Sequence, residues 1–395
     1  MRVSTASRFE STVDTLQRRQ ATLSETQMQM SSGKRVNRPS DDPTAAARAE
    51  RAYIAQQRID SQQRSVDVSR NSMTLAESSL GQAGDLMQQV RETIVAAGDA
   101  TYGPVERAAL AKQLQQLRGQ LLSLANQSDS AGGFTFGGQG TTSAPFLDAI
   151  GGVTFAGTGG QAQLSASEQM PTTVDGQTIW LAARSGNGVF VTAADAANTG
   201  SAWIDAGGVS NPSALTNSTY DITFTDTGGG VMTYDISPGG IVGAPYVSGQ
   251  AITVDGMSLK ITGKPANGDH FTTAPSTPTL DPFDALDRAI TVLQNPSATG
   301  SQVSQVVSDG LRDVDALSSH LQGARSVAGA ALSRLDSIDS RNQDKELWAK
   351  SVQSDAEDLD MVKAYSEFQN QQTSYQAALQ SYAMVQRMSL FDYIK

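Results

Sequence analysis

Between residues 44 and 97 an apolar side chain recurs every seven positions, at Ala52, Ile59, Val66, Met73, Leu80, Met87 and Ile94. Seven residues make two turns of α-helix, so these side chains share one stripe of one helix. At 1.5 Å per residue such a helix is about 80 Å long, a rod with no core of its own. Its companion seam position is mostly polar: Gln56, Gln63, Arg70, Glu77, Gly84 and Arg91. A rod with a half-polar stripe needs a partner, and the remaining sequence must supply it.

Residues 1–32 read as a helix with the seam Phe9, Val13, Leu16, Gln20, Leu23, Gln27 and Met30, its gaps alternating between four and three. A third helix, 104–128, carries Leu110, Leu114, Leu117, Leu121 and Leu124. The short turn at Tyr102-Gly103-Pro104 implies that it packs antiparallel to the end of the rod. Helices return at Asp281 with Phe283, Leu286, Ile290 and Leu293, stopped by Asn295-Pro296. A long helix then runs from Ser301 toward Lys350, with Val307, Leu311, Val314, Leu317, Leu321, Ala328, Leu332, Leu335 and Ile338 on one face. The last helix, 355–392, carries Leu359, Val362, Tyr365, Phe368, Tyr375, Leu379, Tyr382, Val385 and Met388. The expected pairing is of the two chain ends: 44–128 with 301–350, and 1–32 with 355–392. Arg2, Arg8, Arg18, Arg19, Lys34, Arg35 and Arg38 near one end face Asp355, Glu357, Asp358 and Asp360 near the other.

Between Gly140 and Leu280 the composition shifts to Gly, Thr, Ser, Val and Asp. Short β patterns stand at Gly152–Phe155, Gln177–Leu181, Gly188–Val191, Tyr220–Phe224, Val231–Tyr234, Ala251–Val254 and Met257–Ile261, and Asp255-Gly256 is a hairpin signal. The aromatics and glycines of Phe134–Gly138 read as a short strand or hairpin arm. The fold class is therefore α+β: a long antiparallel helical rod, a coiled-coil bundle drawn from both chain ends, with an inserted β-rich domain. The domains are 1–32 with 355–395, a joint loop at 33–43, a rod of 44–139 with 281–354, and the insert 140–280.

The joint loop is densely specified. Gly33 can take a positive φ and close a helix, while Lys34 and Arg35 suit the negative end of its dipole. Pro39 and Pro43 push the residues before them out of the helical region. Ser40, Asp41 and Asp42 are candidate N-caps. The outer helix pair, 1–32 with 355–395, has little apolar area to bury, so its order is expected to come from several copies packing together. That makes Ser32, Gly33, Lys34, Arg35, Arg38, Pro39, Asp41, Asp42 and Pro43 candidates for an assembly loop. Phe9, Val13, Leu16, Leu23 and Met30, with the last helix's apolar stripe, are candidates for assembly seams.

Other functions find little footing. The net charge of −11 argues against nucleic acid or anionic membrane as the main partner. No cysteine is present, and the two histidines, His270 and His320, lie far apart, so no catalytic, metal or cofactor residues are assigned. No run of about 18 apolar residues suggests a membrane span. The first residues show no apolar h-region, so the expectation is a protein that either stays in the cytoplasm or leaves by a route that does not read a cleavable signal. Gly33-Lys34 lacks the other residues of a phosphate-binding loop. The acidic group 355–360 lacks calcium-loop spacing. A glycan hydrolase in the insert would need two placed carboxylates among Asp175, Asp205, Asp221, Asp226, Asp235, Asp255 and Asp269, most of which stand in turn contexts.

The run Met30–Pro43 (MSSGKRVNRPSDDP), the segment Leu121–Asn126 followed by Gly133-Phe-Thr-Phe-Gly137, the opening Met1–Thr5 and the ending Gln376 through Ile394 resemble the flagellin-like axial proteins of bacterial flagella. The Pro-Ser-Asp-Asp-Pro run and the Phe-Asp-Tyr-Ile ending favour the hook–filament junction members over filament flagellin. The resemblance covers about residues 1–140 and 282–395. It implies a structural, non-enzymatic subunit that forms a ring between hook-associated protein 1 and flagellin, outside the cell. It also implies type III export, and a cytoplasmic export chaperone that holds the C-terminal helix.

Overall fold

The computed structural model describes residues 5–129, 132–160, 163–164 and 170–391, with backbone alone at 5–9, 163–164 and 385–391. Three helices come first, α1 (Thr5–Ser32), α2 (Pro43–Ala97) and α3 (Pro104–Ala125). Then follow β1 (Phe146–Ala149), β2 (Gly152–Phe155), β3 (Gln163–Leu164), β4 (Met170–Pro171) and the short α4 (Gly176–Leu181). Nine strands come next: β5 (Phe190–Ala194), β6 (Trp203–Ile204), β7 (Gly208–Val209), β8 (Tyr220–Asp226), β9 (Met232–Ser237), β10 (Ile241–Pro245), β11 (Ala251–Val254), β12 (Met257–Thr262) and β13 (His270–Pro275). The chain ends with α5 (Pro282–Gln294), α6 (Gly300–Glu357) and α7 (Met361–Phe391). It divides into two units, Met1–Arg64 with Ile338–Lys395, and Ser65–Ser337.

In the first unit α1 lies along α7. Val13, Leu16, Leu23 and Met30 are half-buried, as the seam predicts. Phe9, Val385 and Met388 lie outside the residues whose side chains are described. On α7 the contact stripe is Ala364, Phe368, Gln371, Tyr375, Ala378 and Tyr382, a heptad spacing of alternating fours and threes. The stripe read from the sequence mixes two faces of that helix: Val362 (84%), Tyr365 (55%) and Leu379 (42%) are exposed. Polar groups hold the middle of the pair, where Thr26 Oγ1 donates to Gln371 Oε1 at 2.9 Å and Arg19 Nη1 to the Ser374 carbonyl at 3.0 Å. The polar seam of α2 is likewise satisfied by α6. Gln56 Nε2 donates to Gln353 Oε1 at 2.8 Å and Gln63 Nε2 to Asp339 Oδ1 at 2.7 Å. The buried apolar residues of α2 here are Ala45, Ala49, Ala52 and Ile59, so the seam is thin.

In the second unit the heptad positions Val66, Met73, Leu80, Met87 and Ile94 are all buried. Facing them on α6 are buried Val314, Leu317, Leu321, Ala328 and Leu335. The alternate seam position again carries cross-helix polar pairs: Arg70–Asp336 at 3.0 Å, Glu77–Arg325 at 2.6 Å and Arg91–Asp315 at 3.0 Å. A third packing partner, not expected from the sequence, is α5, which lies against α3. Arg118 on α3 joins them. Its guanidinium forks onto Asp148 at 2.7 and 2.9 Å, lies 2.8 Å from Asp287 and sits over the Phe283 ring. These bonds hold the Asp148 carboxyl below the usual carboxylate range.

The insert departs from the sequence reading in two places. Gln177–Leu181 is helix, not strand, because Asp175 caps it by accepting from Thr178 N–H, and one turn of helix suffices to bury Ile179 and Trp180. Phe134–Gly138 is a turn pinned by isolated bridges to Ser128, Asp175 and Thr158, not a named strand. The runs at Gly152–Phe155, Tyr220–Phe224, Ala251–Val254 and Met257–Ile261 fall within strands, whereas Gly188 and Val189 precede β5 and Val231 precedes β9. Asp255 (φ 42°) and Gly256 (φ 78°) make the tight turn between β11 and β12. The five-stranded sheet has the order β10-β9-β8-β13-β5 and the four-stranded path β11-β12-β6 carries β7 on β12. Phe190, Tyr220, Ile222, Phe224, Ile236 and Phe271 from the first meet Ile204, Ile252, Val254, Leu259 and Ile261 from the second in one core.

The cap of α5 carries a titration. Asp281 accepts from the backbone N–H groups of Phe283 and Asp284, yet burial raises its pKa from 3.8 to about 6. The fold thus favours the protonated form. That contribution is full below pH 3.8 and is lost as pH rises through about 6. Asp281→Asn keeps the acceptor and removes the charge. Its melting temperature is expected to exceed the parent's at pH 7.5, with the gap closing toward pH 4; thermal denaturation across that range checks it.

Candidate assembly site at the paired helix breaks

The chain between α1 and α2 has a counterpart in the chain between α6 and α7. Gly33 ends α1 with φ 70°, a left-handed residue at the position where glycine carries no Cβ penalty. Its carbonyl accepts from Leu359 N–H at 2.9 Å, and Arg35 N–H donates to the Glu357 carbonyl at 2.6 Å. Lys34 and Asp358 form an antiparallel bridge between these two bonds. Side chains reinforce it. Lys34 Nζ lies 2.9 Å from Glu357 Oε2, and Arg35 donates to the Ala356 carbonyl at 2.8 Å and to Asp42 Oδ2 at 3.2 Å.

The loop then turns on its own carboxylates. Ser32 Oγ accepts from Lys34 N–H at 3.2 Å. Asp41 accepts from the N–H groups of Asn37 at 3.1 Å and Arg38 at 2.8 Å, across Pro39. Asp42 is the N-cap of α2, accepting from Thr44 and Ala45 at 3.1 and 3.0 Å, with Pro43 as the first helical residue. The Ala45 N–H, then the Arg35 side chain, hold the Asp42 carboxyl below its usual value. Asp360 caps α7 in the same way, accepting from Val362 and Lys363, both at 3.1 Å.

The loop's charges, Lys34, Arg35, Arg38, Asp41 and Asp42, are the sequence candidates for links between subunits. In the folded chain the side chains of Lys34, Arg35, Asp41 and Asp42 have partners within the chain, and Arg38 donates its backbone N–H to Asp41. A recess of about 710 Å³ beside the loop is lined by Val36, Arg38, Pro39, Glu50 and Tyr53. The second break was read too early. α6 continues to Glu357, so Asp355 and Glu357 end that helix and do not begin the next. Its signal is Asp360, a residue type suited to an N-cap, which here caps α7. Exposed Leu347 and Trp348 on α6, both 67% exposed, were also missed.

Among the described residues, no group of three or more His, Asp or Glu is placed to hold a metal ion, and no helix is long and apolar enough to cross a membrane. The insert carboxylates build turns. Asp205 accepts from Gly207 and Lys260, Asp235 from Gly243, and Asp269 from Thr199, Gly200 and Ala266.

Residues 3–141 match the family described as the bacterial flagellin N-terminal helical region. Flagellar hook-associated protein 3 of Salmonella typhimurium is 38% identical over 149 residues. That match spans 38% of this chain and 47% of the relative, about half its length. Flagellar hook-associated protein 3 of Escherichia coli is 25% identical over 399 residues, covering 100% of both chains. The chain is similar to flagellar hook-associated protein 3 over its whole length. The crystal structure of Xanthomonas campestris FlgL is similar at 29% identity and a TM-score of 0.65, over 73% of this chain and 95% of that one.

Gly33 has nothing within 4 Å of where a Cβ would stand, so substitution there tests backbone conformation alone. Gly33→Ala is expected to cost about 1 kcal/mol through the left-handed φ, and Gly33→Asn less. Urea midpoints at unchanged slope check both.

Proposed function

We propose that this chain is a structural subunit of the bacterial flagellum at the junction between hook and filament, assembling as a ring of copies. Its partners on this reading are hook-associated protein 1 on one side, flagellin on the other, and itself. An export chaperone on α7 and the type III export apparatus precede them, and the assembled position is extracellular. The observation that carries this reading is the apolar surface that the chain-end helices leave open. Met361, Val362, Tyr365, Leu379 and Met384 of α7 are 42–84% exposed after α1 has packed. Large apolar groups in that number on one helix mark an interaction face. The family supplies the flagellar setting.

Charge supports a division of labour. Residues 1–64 with 338–395 hold 17 Lys and Arg against 16 Asp and Glu, a net +1; residues 65–337 hold 12 against 24, a net −12. Copies can pack closely through a nearly neutral unit, whereas the acidic unit repels its neighbours. The chain-end helices are thus the part suited to self-contact.

A strain lacking the gene should make hooks without filaments and release flagellin into the medium, and supplying the intact chain should restore filaments. Normal filaments in the deletion strain would overturn the proposal. Filament flagellin is the alternative reading; it predicts that the purified chain polymerises alone into long filaments, where a junction subunit stays monomeric or stops at short rings.

A further inference from the structure

The α1–α7 pair has two unlike sides. Thr26 of α1 bonds to Gln371 of α7, and Arg19 to the Ser374 carbonyl. Higher numbers on α1 meet lower numbers on α7, so the two helices run antiparallel. On α7 the side turned to α1 is the stripe Ala364, Phe368, Gln371, Tyr375, Ala378 and Tyr382. One residue further along an α-helix is a rotation of about 100°. The two helices face each other and advance in opposite directions. One step forward therefore turns both toward the same side of the pair, and one step back turns both toward the other.

One step forward on α1 stand Val13, Gln20 and Gln27, the first half-buried and the glutamines exposed. One step forward on α7 stand Tyr365, Gln369, Gln372 and Leu379, all exposed. Gln369 Nε2 donates to the Tyr365 hydroxyl at 3.0 Å along this stripe. One step back stand Arg18 and Glu25 on α1, with Lys363 and Glu367 on α7. From Leu16 to Ser32 and from Met361 to Met384, those four and Arg19 are the only charged residues. Arg19 is spent on α7 itself. The pair thus keeps its remaining charges on one side and presents an uncharged stripe on each helix to the other.

A helix pair bathed in water on both sides has no reason to sort its charges in this way. The uncharged side alternates apolar residues with glutamine. The same alternation joins this chain's helices to one another, through Thr26 with Gln371 and Gln56 with Gln353. Leu16, Leu23 and Met30 lie between the two stripes of α1 and are only half-buried by α7, so the seam inside one copy is continuous with the open side. That side offers no charge by which a foreign partner would be selected. The unit that carries it is nearly neutral, so copies approach through it without repulsion.

We infer that the uncharged side of the α1–α7 pair in one copy packs on the α1–α7 pair of a second copy, with Tyr365, Leu379 and the glutamines at the contact and the charged side left in solvent. This rests on the proposed ring of copies and names the side by which its members meet. The test expresses the full chain in the deletion strain with the photo-crosslinking residue p-benzoylphenylalanine at Leu379, at Gln372 or, on the charged side, at Glu367. Isolated hook–filament structures are irradiated and the products resolved by mass. The expected product is a homodimer of the chain from Leu379 and from Gln372, and none from Glu367. A product with flagellin or another protein in place of the homodimer overturns the contact and leaves the junction reading standing. So do equal yields from all three positions, or structures that hold the variants without any product. Absence of the unsubstituted chain from the structures overturns the junction reading itself. Independently, Gln372→Glu puts a charge on the uncharged side and should reduce filament attachment, whereas Glu367→Gln should not; equal effects count against the contact.

Discussion

Two helix breaks whose bridging side chains are 323 residues apart are hydrogen-bonded to each other, and the first unit depends on that pairing. A helix that stops exposes carbonyls, and a helix that starts exposes N–H groups. Here the two stops and two starts lie together. Gly33 turns the chain, its carbonyl takes Leu359 N–H, and Arg35 N–H takes the last carbonyl of α6. Asp42 and Asp360 cap the helices that follow. Both helix pairs break at the same level, so α1 and α7 can run on as a pair of their own. Loss of that register would leave capped helix ends without the backbone partners that they now share.

The helix pairs follow one rule at different strengths. One heptad position is apolar and the other polar, and the polar position is bonded across the seam at Gln56, Gln63, Arg70, Glu77 and Arg91. Such pairs fix register more than they stabilise, since exposed ion pairs contribute little. In the second unit the apolar positions hold Met73, Leu80 and Met87, and α3, α5 and the insert add further core. In the first unit they are mostly alanine, and α7 keeps Val362 and Tyr365 in solvent. The difference in buried area leaves the first unit with the thinner core of the two.

The helical elements were legible because heptads survive any tertiary context: every apolar heptad position from Ala52 to Ile94 is buried. The loop at 33–43 was legible through its glycine, prolines and carboxylates, down to the cap at Asp42. The second break was legible only approximately, a few residues before Asp358–Asp360, because no glycine or proline stands between α6 and α7. Gln177–Leu181 misled because β-favouring residues occupy a helix whose formation is decided by the Asp175 cap and the burial of Trp180. Strand order in the insert rests on pairing between residues far apart, such as Phe271 with Ala194 and with Ile222, which alternation within one strand cannot reveal. The roles of Lys34 and Arg35 likewise depended on knowing that Ala356 and Glu357 lie beside them.

On the proposed reading, α1 and α7 are incomplete in a single copy and are completed by assembly. Amide hydrogen exchange on the free chain and on isolated hook–filament structures distinguishes the two states. Low protection is expected across α1 and α7 in the free chain against high protection in α2, α3 and α5, with strong protection of α1 and α7 once assembled. Full protection of both helices in the free monomer would contradict it.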